Sequence, residues 1–186
     1  MSSTTSANRD GTALLVIDVQ TALFERATPI YKASDILRNI TTLIGRAREA
    51  TVPVFYVQHA NNSLLSEGSA GWQLHPQLQA MPPDGLIHKR HGSAFEETPL
   101  KEILDARNVG RLVIAGLVTH QCVKTTSLDA LKRGYTVILA ADAHSNYNKQ
   151  AAKLIAEWNQ TLQEAGATVL PTEEIDFVST SCESPS

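Results

Sequence analysis

The stretch Arg111–Ser145, RLVIAGLVTHQCVKTTSLDALKRGYTVILAADAHS, decides the fold. Leu112 to Ala115 form an unbroken apolar run of strand length closed by Gly116. Val123, Ser127, Ala130 and Leu131 then recur at i, i+4, i+7 and i+8, the period of a helix. Lys132 and Arg133 precede Gly134, a glycine stop after basic residues that suit the negative end of a helix dipole. Thr136 to Ala141 make a second buried strand, so the stretch reads as a β-α-β unit.

Its one reactive side chain is Cys122, which falls in the first turn of the predicted helix if Thr119 supplies the N-cap oxygen. Unpaired backbone N–H groups and the positive end of the dipole favour thiolate there, and the thiolate is the nucleophile. The competing reading is a buried cysteine that only fills space.

Outward from this unit, Ala13 to Val19 is apolar on both faces, as in a central parallel strand, except for Asp18 near its carboxyl end. Such a carboxylate either serves a site or bonds the amides of the following turn. Ile36, Ile40, Leu43, Ile44 and Ala47 predict a helix from about Ser34 to Ala50 with Ser34 as cap. Pro53 to Gln58 is the next strand, running into the polar cluster Gln58 to Asn62. Residues 61–85, rich in Ser, Gly, Pro and Gln, form either a binding loop or lid or a poorly ordered connection. Trp72 within them needs an apolar surface in the ligand cleft, on the domain or on a second subunit.

Leu86 to His88 suggests a short strand leading into Lys89–Phe95, KRHGSAF. One cation there, Lys89 or Arg90, could hold Cys122 as thiolate, and spacing does not choose between them; the alternative is a solvated basic turn. Thr98 and Pro99 start a helix with Leu100, Ile103 and Leu104 on its core face. Asp142 to Ser145 gives another polar patch at a strand end. Ala151, Ile155, Trp158, Leu162 and Ala165 mark a helix over 149–165 stopped by Gly166, with Trp158 in its apolar stripe, and Ala167 to Leu170 is a final strand.

Strands alternating with helices predict an α/β fold of three layers, a mostly parallel, Rossmann-like central sheet flanked by helices. Asp18, Gln58, His59, Cys122 and Asp142 all fall at or just beyond carboxyl ends of strands, where ligands bind in such sheets. That convergence favours a functional reading of Asp18 and Cys122.

The 186 residues fit one domain, expected over 12–178, with flexible segments at 1–11 and 179–186. Sixteen Lys and Arg against 19 Asp and Glu, a net charge of −3, with no basic run among aromatics, argue against a nucleic-acid partner. No apolar stretch reaches membrane-spanning length and no signal-peptide core is present. Two cysteines make no disulfide framework, so the expected compartment is the cytoplasm.

From Ala13 to about Val178 the sequence resembles the isochorismatase-like cysteine hydrolase family. The resemblance is carried by Asp18-Val19-Gln20 followed by Phe24, by Lys89 to Phe95 with its Ser-Ala-Phe ending, and by Gly116-Leu117-Val118-Thr119-His120-Gln121-Cys122-Val123. It implies a catalytic triad of Asp18, Lys89 and Cys122, choosing Lys89 over Arg90. It also implies a cis peptide between Val118 and Thr119 and an oxyanion hole from the backbone N–H groups of Thr119 and Cys122. The implied chemistry is hydrolysis of a C–N bond in a small non-peptide amide or ureide through a thioester, with Lys89 and the helix terminus lowering the thiol pKa. Phe24, Gln58, His59, Trp72, Phe95 and His120 are the expected substrate contacts.

Two departures narrow the resemblance. Nicotinamide-hydrolysing members carry an Asp-x-His metal site where this chain has Val57-Gln58-His59, so no metal and no cofactor is expected, and nicotinamide is disfavoured. Near the last helix, relatives often have histidine before an asparagine, where this chain has Glu157-Trp158-Asn159, and no catalytic meaning attaches to that. The alternatives are an isochorismate-like vinyl ether hydrolase, which needs no cysteine nucleophile, and a redox-sensing binding protein on the same scaffold. A small-molecule substrate and a homo-oligomer are the expected partners.

Overall fold

In a computed structural model, which describes residues 9–177, six parallel strands form one sheet in the order β3-β2-β1-β4-β5-β6. The strands are β1 (Gly11–Ile17), β2 (Val54–His59), β3 (Gly85–Lys89), β4 (Val109–Leu117), β5 (Thr136–Ser145) and β6 (Thr168–Leu170). The helices are α1 (Thr21–Phe24), α2 (Ala33–Glu49), α3 (Leu100–Ala106), α4 (Lys124–Lys132) and α5 (Ala151–Glu164). The predicted terminal segments 1–11 and 179–186 lie almost wholly outside the described residues, and β1 already begins at Gly11.

The three layers follow from strand alternation. Leu15 and Ile17 of β1 join the apolar cluster that contains Leu100, Leu104, Val123, Ala130 and Leu162 from α3, α4, α5 and the turn before α4. Leu14 and Val16 point the other way, into a cluster with Ile36, Leu37, Ile40, Leu43, Ile44 and Ala47 of α2. Each such fully buried aliphatic side chain contributes about 1.5–3 kcal/mol, which explains why β1, covered on both faces, lies at the centre. β4 can approach β1 closely because Gly116 has φ +124 and no side chain; a Cβ there would lie 2.1 Å from the Ile17 carbonyl oxygen.

Three local expectations are corrected. Ser34 does not cap α2, because the helix already starts at Ala33, after Lys32 in the left-handed region. Thr119 does not cap α4 either: a π-helical turn, Thr119–Val123, precedes α4, and the Thr119 hydroxyl bonds His144 instead. Residues 61–85 form a defined connection, not a poorly ordered one. They are tied to the end of β1 by Thr21 N to Gln73 O, Ala22 N to Gly71 O and His75 N to Val19 O, at 2.9–3.0 Å. Among the described residues, no helix is long and apolar enough to cross a membrane.

Candidate functional site

Asp18 follows directly on β1, and its φ of +49 turns the chain sharply out of the sheet. Aspartate tolerates this left-handed region better than most residues. Its N–H still donates to the Val57 carbonyl at 2.8 Å, so the carboxylate is delivered from a fixed backbone. Gln20, buried at 0 % exposure, then clamps the neighbouring strand: Nε2 donates to the His59 and Trp72 carbonyls at 3.0 and 2.8 Å, and Oε1 accepts from His59 N at 2.9 Å.

Lys89, the last residue of β3, is the hub. Its Nζ donates to Asp18 Oδ2 at 2.8 Å and to the His91 carbonyl at 3.1 Å, and lies 3.1 Å from both His59 Nδ1 and Cys122 Sγ. An ammonium has three N–H groups and here meets four neighbours. The thiol sulfur, the weakest acceptor, is the neighbour left to share. The arrangement separates Lys89 from Arg90, which turns outward to pair with Glu67 at 2.9 Å. Ser93, Ala94 and Phe95 lock the hub against α4: Ala94 N donates to Thr126 Oγ1 at 3.0 Å and Ser93 Oγ to Asp129 Oδ2 at 2.5 Å.

Electrostatics correct one expectation. Burial, reinforced by the Asp18 charge, outweighs the lowering effect of Lys89 and pushes the Cys122 thiol up to about 12. The half-buried cysteine therefore rests as a thiol. Lys89 stays charged: burial works against the ammonium, but the Asp18 charge and the hydrogen bonds to Asp18 and Cys122 more than offset it. His59 is lowered by burial and by Lys89, and its neutral ring accepts from the ammonium. Asp18 Oδ1 is buried with no hydrogen-bond partner among the described residues, a lone pair free to take a proton.

Asp18, His59 and Cys122 also bring oxygen, nitrogen and sulfur atoms within 4.8 Å of one another, a set of metal-ligating types. The Lys89 ammonium stands within hydrogen-bond distance of all three and supplies there the positive charge an ion would bring. Val57 stands where an Asp-x-His site has its carboxylate and is buried in the apolar core, while Gln58 beside it donates to the Trp72 carbonyl at 3.0 Å and takes no part in the set.

Other expected contacts separate. The cis peptide lies between Leu117 and Val118, one bond earlier than expected, because β4 ends at Leu117, paired with Ser145, and the turn starts directly after it. Gln58 is 3 % exposed and holds the Trp72 segment. Trp72 is buried in a cluster with Ala22, Leu23, Leu117 and Val118, so its apolar surface is the domain itself. Phe95 stacks on Tyr135 in the core, ring centroids 5.6 Å apart. Phe24 is half-buried against His75, and His120 is half-buried with Nδ1 unpartnered among the described residues. Asp142 faces away, accepting from Thr172 N and Oγ1 at 2.7 Å.

Sequence reading missed Gln20 as a clamp, the His91 carbonyl, and the pair His144–Asn159. Gln20 stood inside a recognised motif, but the pairing of His144 with Asn159 has no signal in spacing.

Residues 12–174 match the family model of the isochorismatase domain. The chain is 34 % identical over 147 residues to streptothricin hydrolase of Streptomyces noursei, covering 78 % of this chain and 53 % of that protein, so it spans about half of that relative's length. It is 30 % identical over 154 residues to Nicotinamidase 3 of Arabidopsis thaliana, covering 74 % of this chain and 75 % of that protein. The crystal structure of a cysteine hydrolase from Pseudomonas syringae pv. phaseolicola 1448A superposes with a TM-score of 0.82 at 25 % identity, over 90 % of this chain and 91 % of that one.

Proposed function

We propose that this chain, which belongs to the isochorismatase family, hydrolyses the C–N bond of a small non-peptide amide or ureide with Cys122 as nucleophile. The observation that carries the reading is the Lys89 ammonium lying 2.8 Å from Asp18 Oδ2 and 3.1 Å from Cys122 Sγ at the carboxyl ends of the strands. Similarity to a nicotinamidase and to a cysteine hydrolase supports the bond type and the nucleophile.

The raised thiol pKa sets the order of events. Cys122 Sγ attacks the carbonyl carbon while its proton passes to the unpartnered Asp18 Oδ1, so a free thiolate need not accumulate. As the sulfur becomes anionic it recruits a Lys89 N–H, which His59 or the His91 carbonyl gives up. The tetrahedral oxyanion is bound by backbone N–H groups of the Thr119–Cys122 turn; a donor of this kind was worth roughly 3–4 kcal/mol where one has been removed in another enzyme. Asp18 returns its proton to the leaving nitrogen, the C–N bond breaks, and water cleaves the thioester with Asp18 again taking a proton.

His59 and His120, both half-buried beside the hub or the turn, and Phe24 are the side chains proposed to meet the substrate. A cysteine-independent ether cleavage gains nothing from a buried Lys–Asp pair around the sulfur, which ranks it second.

The test is a panel of small amides and ureides, nicotinamide included, with wild type and Cys122→Ala. Wild type is expected to turn over at least one compound and to yield a Cys122 acyl adduct by mass spectrometry on acid quench. Cys122→Ala should lose turnover with its fold intact, and turnover surviving in that variant would refute the reading.

A further inference from the structure

We infer that His144 and Asn159 form a buried brace that positions the Thr119–Cys122 turn for acyl transfer, an inference that rests on the hydrolase reading above. Thr119 Oγ1 lies 2.9 Å from His144 Nδ1, His144 Nε2 lies 2.8 Å from Asn159 Oδ1, and Asn159 Nδ2 donates to the Ala141 carbonyl at 3.2 Å. Thr119 and His144 are 0 and 1 % exposed.

Every bond in this chain has one possible direction. The Ala141 carbonyl can only accept, so the Asn159 amide must turn its NH₂ toward it and its oxygen toward the imidazole. His144 Nε2 therefore carries the hydrogen and Nδ1 is an acceptor, which requires the Thr119 hydroxyl to donate. The hydroxyl is held in one rotamer through Asn159 of α5, a helix that packs against the turn.

The fold goes out of its way to put His144 there. Between the paired positions Ile114–Leu139 and Gly116–His144, β4 advances two residues and β5 advances five. The three surplus residues form a bulge whose Ala141 carbonyl takes Asn159 and whose Asp142 side chain takes Thr172. Bulges of this kind re-aim a side chain at strand ends.

The end of the turn is fixed by Lys124 N, which donates to the Gln121 and Thr119 carbonyls, while its start hangs on one carbonyl. Gln121 N and Val123 N both address the single carbonyl of Val118, at 3.0 and 3.4 Å. Thr119 follows that residue, and Cys122 rides three residues further on. A displaced Thr119 would move both the sulfur and the amides proposed to bind the oxyanion, and misplacement of about 1 Å is enough to cost about 100-fold in rate. His144 and Asn159 are positioning residues, since neither touches the sulfur, Lys89 or Asp18.

The test compares Thr119→Val, Thr119→Ser and His144→Leu in the full chain, using the best amide from the panel. Thr119→Val and His144→Leu are expected to lower kcat about 10- to 100-fold with KM within about twofold, and Thr119→Ser, which restores the hydroxyl, to recover most of kcat. Equal losses in the Val and Ser variants, or a change confined to KM, would overturn the inference. If wild type hydrolyses nothing in the panel, the hydrolase reading has failed separately, and amide hydrogen exchange decides the brace. In Thr119→Val, exchange at Gln121 and Val123 should then rise at least about tenfold with the sheet unchanged, whereas unaltered exchange refutes it.

Discussion

At the amino ends of β1, β2 and β4 the protein holds an open cavity of about 880 Å³, bordered by Thr12, Arg48, Pro53, Asp84, Arg107 and Val109 among others. At the carboxyl ends of the same strands Asp18, Lys89 and Cys122 crowd around one ammonium, with the Lys89 and Asp18 side chains 0 and 3 % exposed. The open space has the weaker chemistry. Its ion pair, Arg48 to Asp84 at 2.5 Å, keeps Arg48 30 % exposed, and the Arg107 guanidinium lies over the Phe55 ring at 5.2 Å. Among the described residues, no cysteine or histidine borders it. Burying opposite charges costs several kcal/mol per ion before any pairing is counted, so a pair as deep as Lys89–Asp18 needs a use. Buried charge, rather than cavity volume, is what marks the candidate site in this fold.

The largest expected effect breaks the buried pair. Lys89→Met leaves the Asp18 carboxylate buried without its cation, beside a thiol that has lost its one neighbouring positive charge. Turnover of the best panel substrate should fall by at least about 1000-fold, and urea unfolding should show a loss of roughly 3–5 kcal/mol. Near wild-type turnover in a folded Lys89→Met protein would remove the carboxyl ends of the strands from consideration as the reaction centre.

Much of this contrast was legible in the residues. The six strands, the layered architecture and the placement of Asp18 and Cys122 follow from period and from polar residues at strand ends, because burial on two faces leaves so clear a mark on sequence. The choice of Lys89 over Arg90 came from a motif; geometry explains it, since alternation on β3 buries Ile87 and Lys89 and exposes Leu86 and His88. Thr119 was misread because a π turn and a helical first turn place the same residue types at nearly the same spacing. The thiol pKa was misjudged because composition reveals the neighbouring ammonium but not the depth of burial, which is the larger influence. His144 and Asn159 stayed invisible because a three-residue surplus in β5 brings them together, and no periodicity encodes that.

The next effect lies deep beside the turn. Burial pushes the His144 imidazole down to about 4, against about 6.5 in an unfolded chain. Between those pH values the unfolded chain binds the proton and the folded one does not, so stability is fully present above about pH 6.5 and falls as pH drops toward 4. The loss should be roughly 3 kcal/mol across the window. His59, His75 and His120 are lowered as well and add slope of the same sign. Urea unfolding between pH 7.5 and 4.5 checks this, and His144→Leu should flatten the dependence; an equally steep dependence in that variant would assign the loss to other groups.

The smallest effect belongs to the amino end, and it sharpens the contrast most. Asp84→Ala removes one partner of Arg48 and the acceptor of Met81 N, but Arg48 keeps the Gln79 carbonyl at 2.8 Å and the Tyr56 hydroxyl at 3.1 Å, and stays in reach of water. A pair this exposed on one side should cost about 1 kcal/mol on removal. Because the strands separate it from Lys89, kcat and KM for the panel substrate should both stay within about twofold, a free-energy change under about 0.5 kcal/mol. A large loss of turnover with little loss of stability would show that the two ends communicate through β1 and β2, and that the open cavity takes part in the reaction after all.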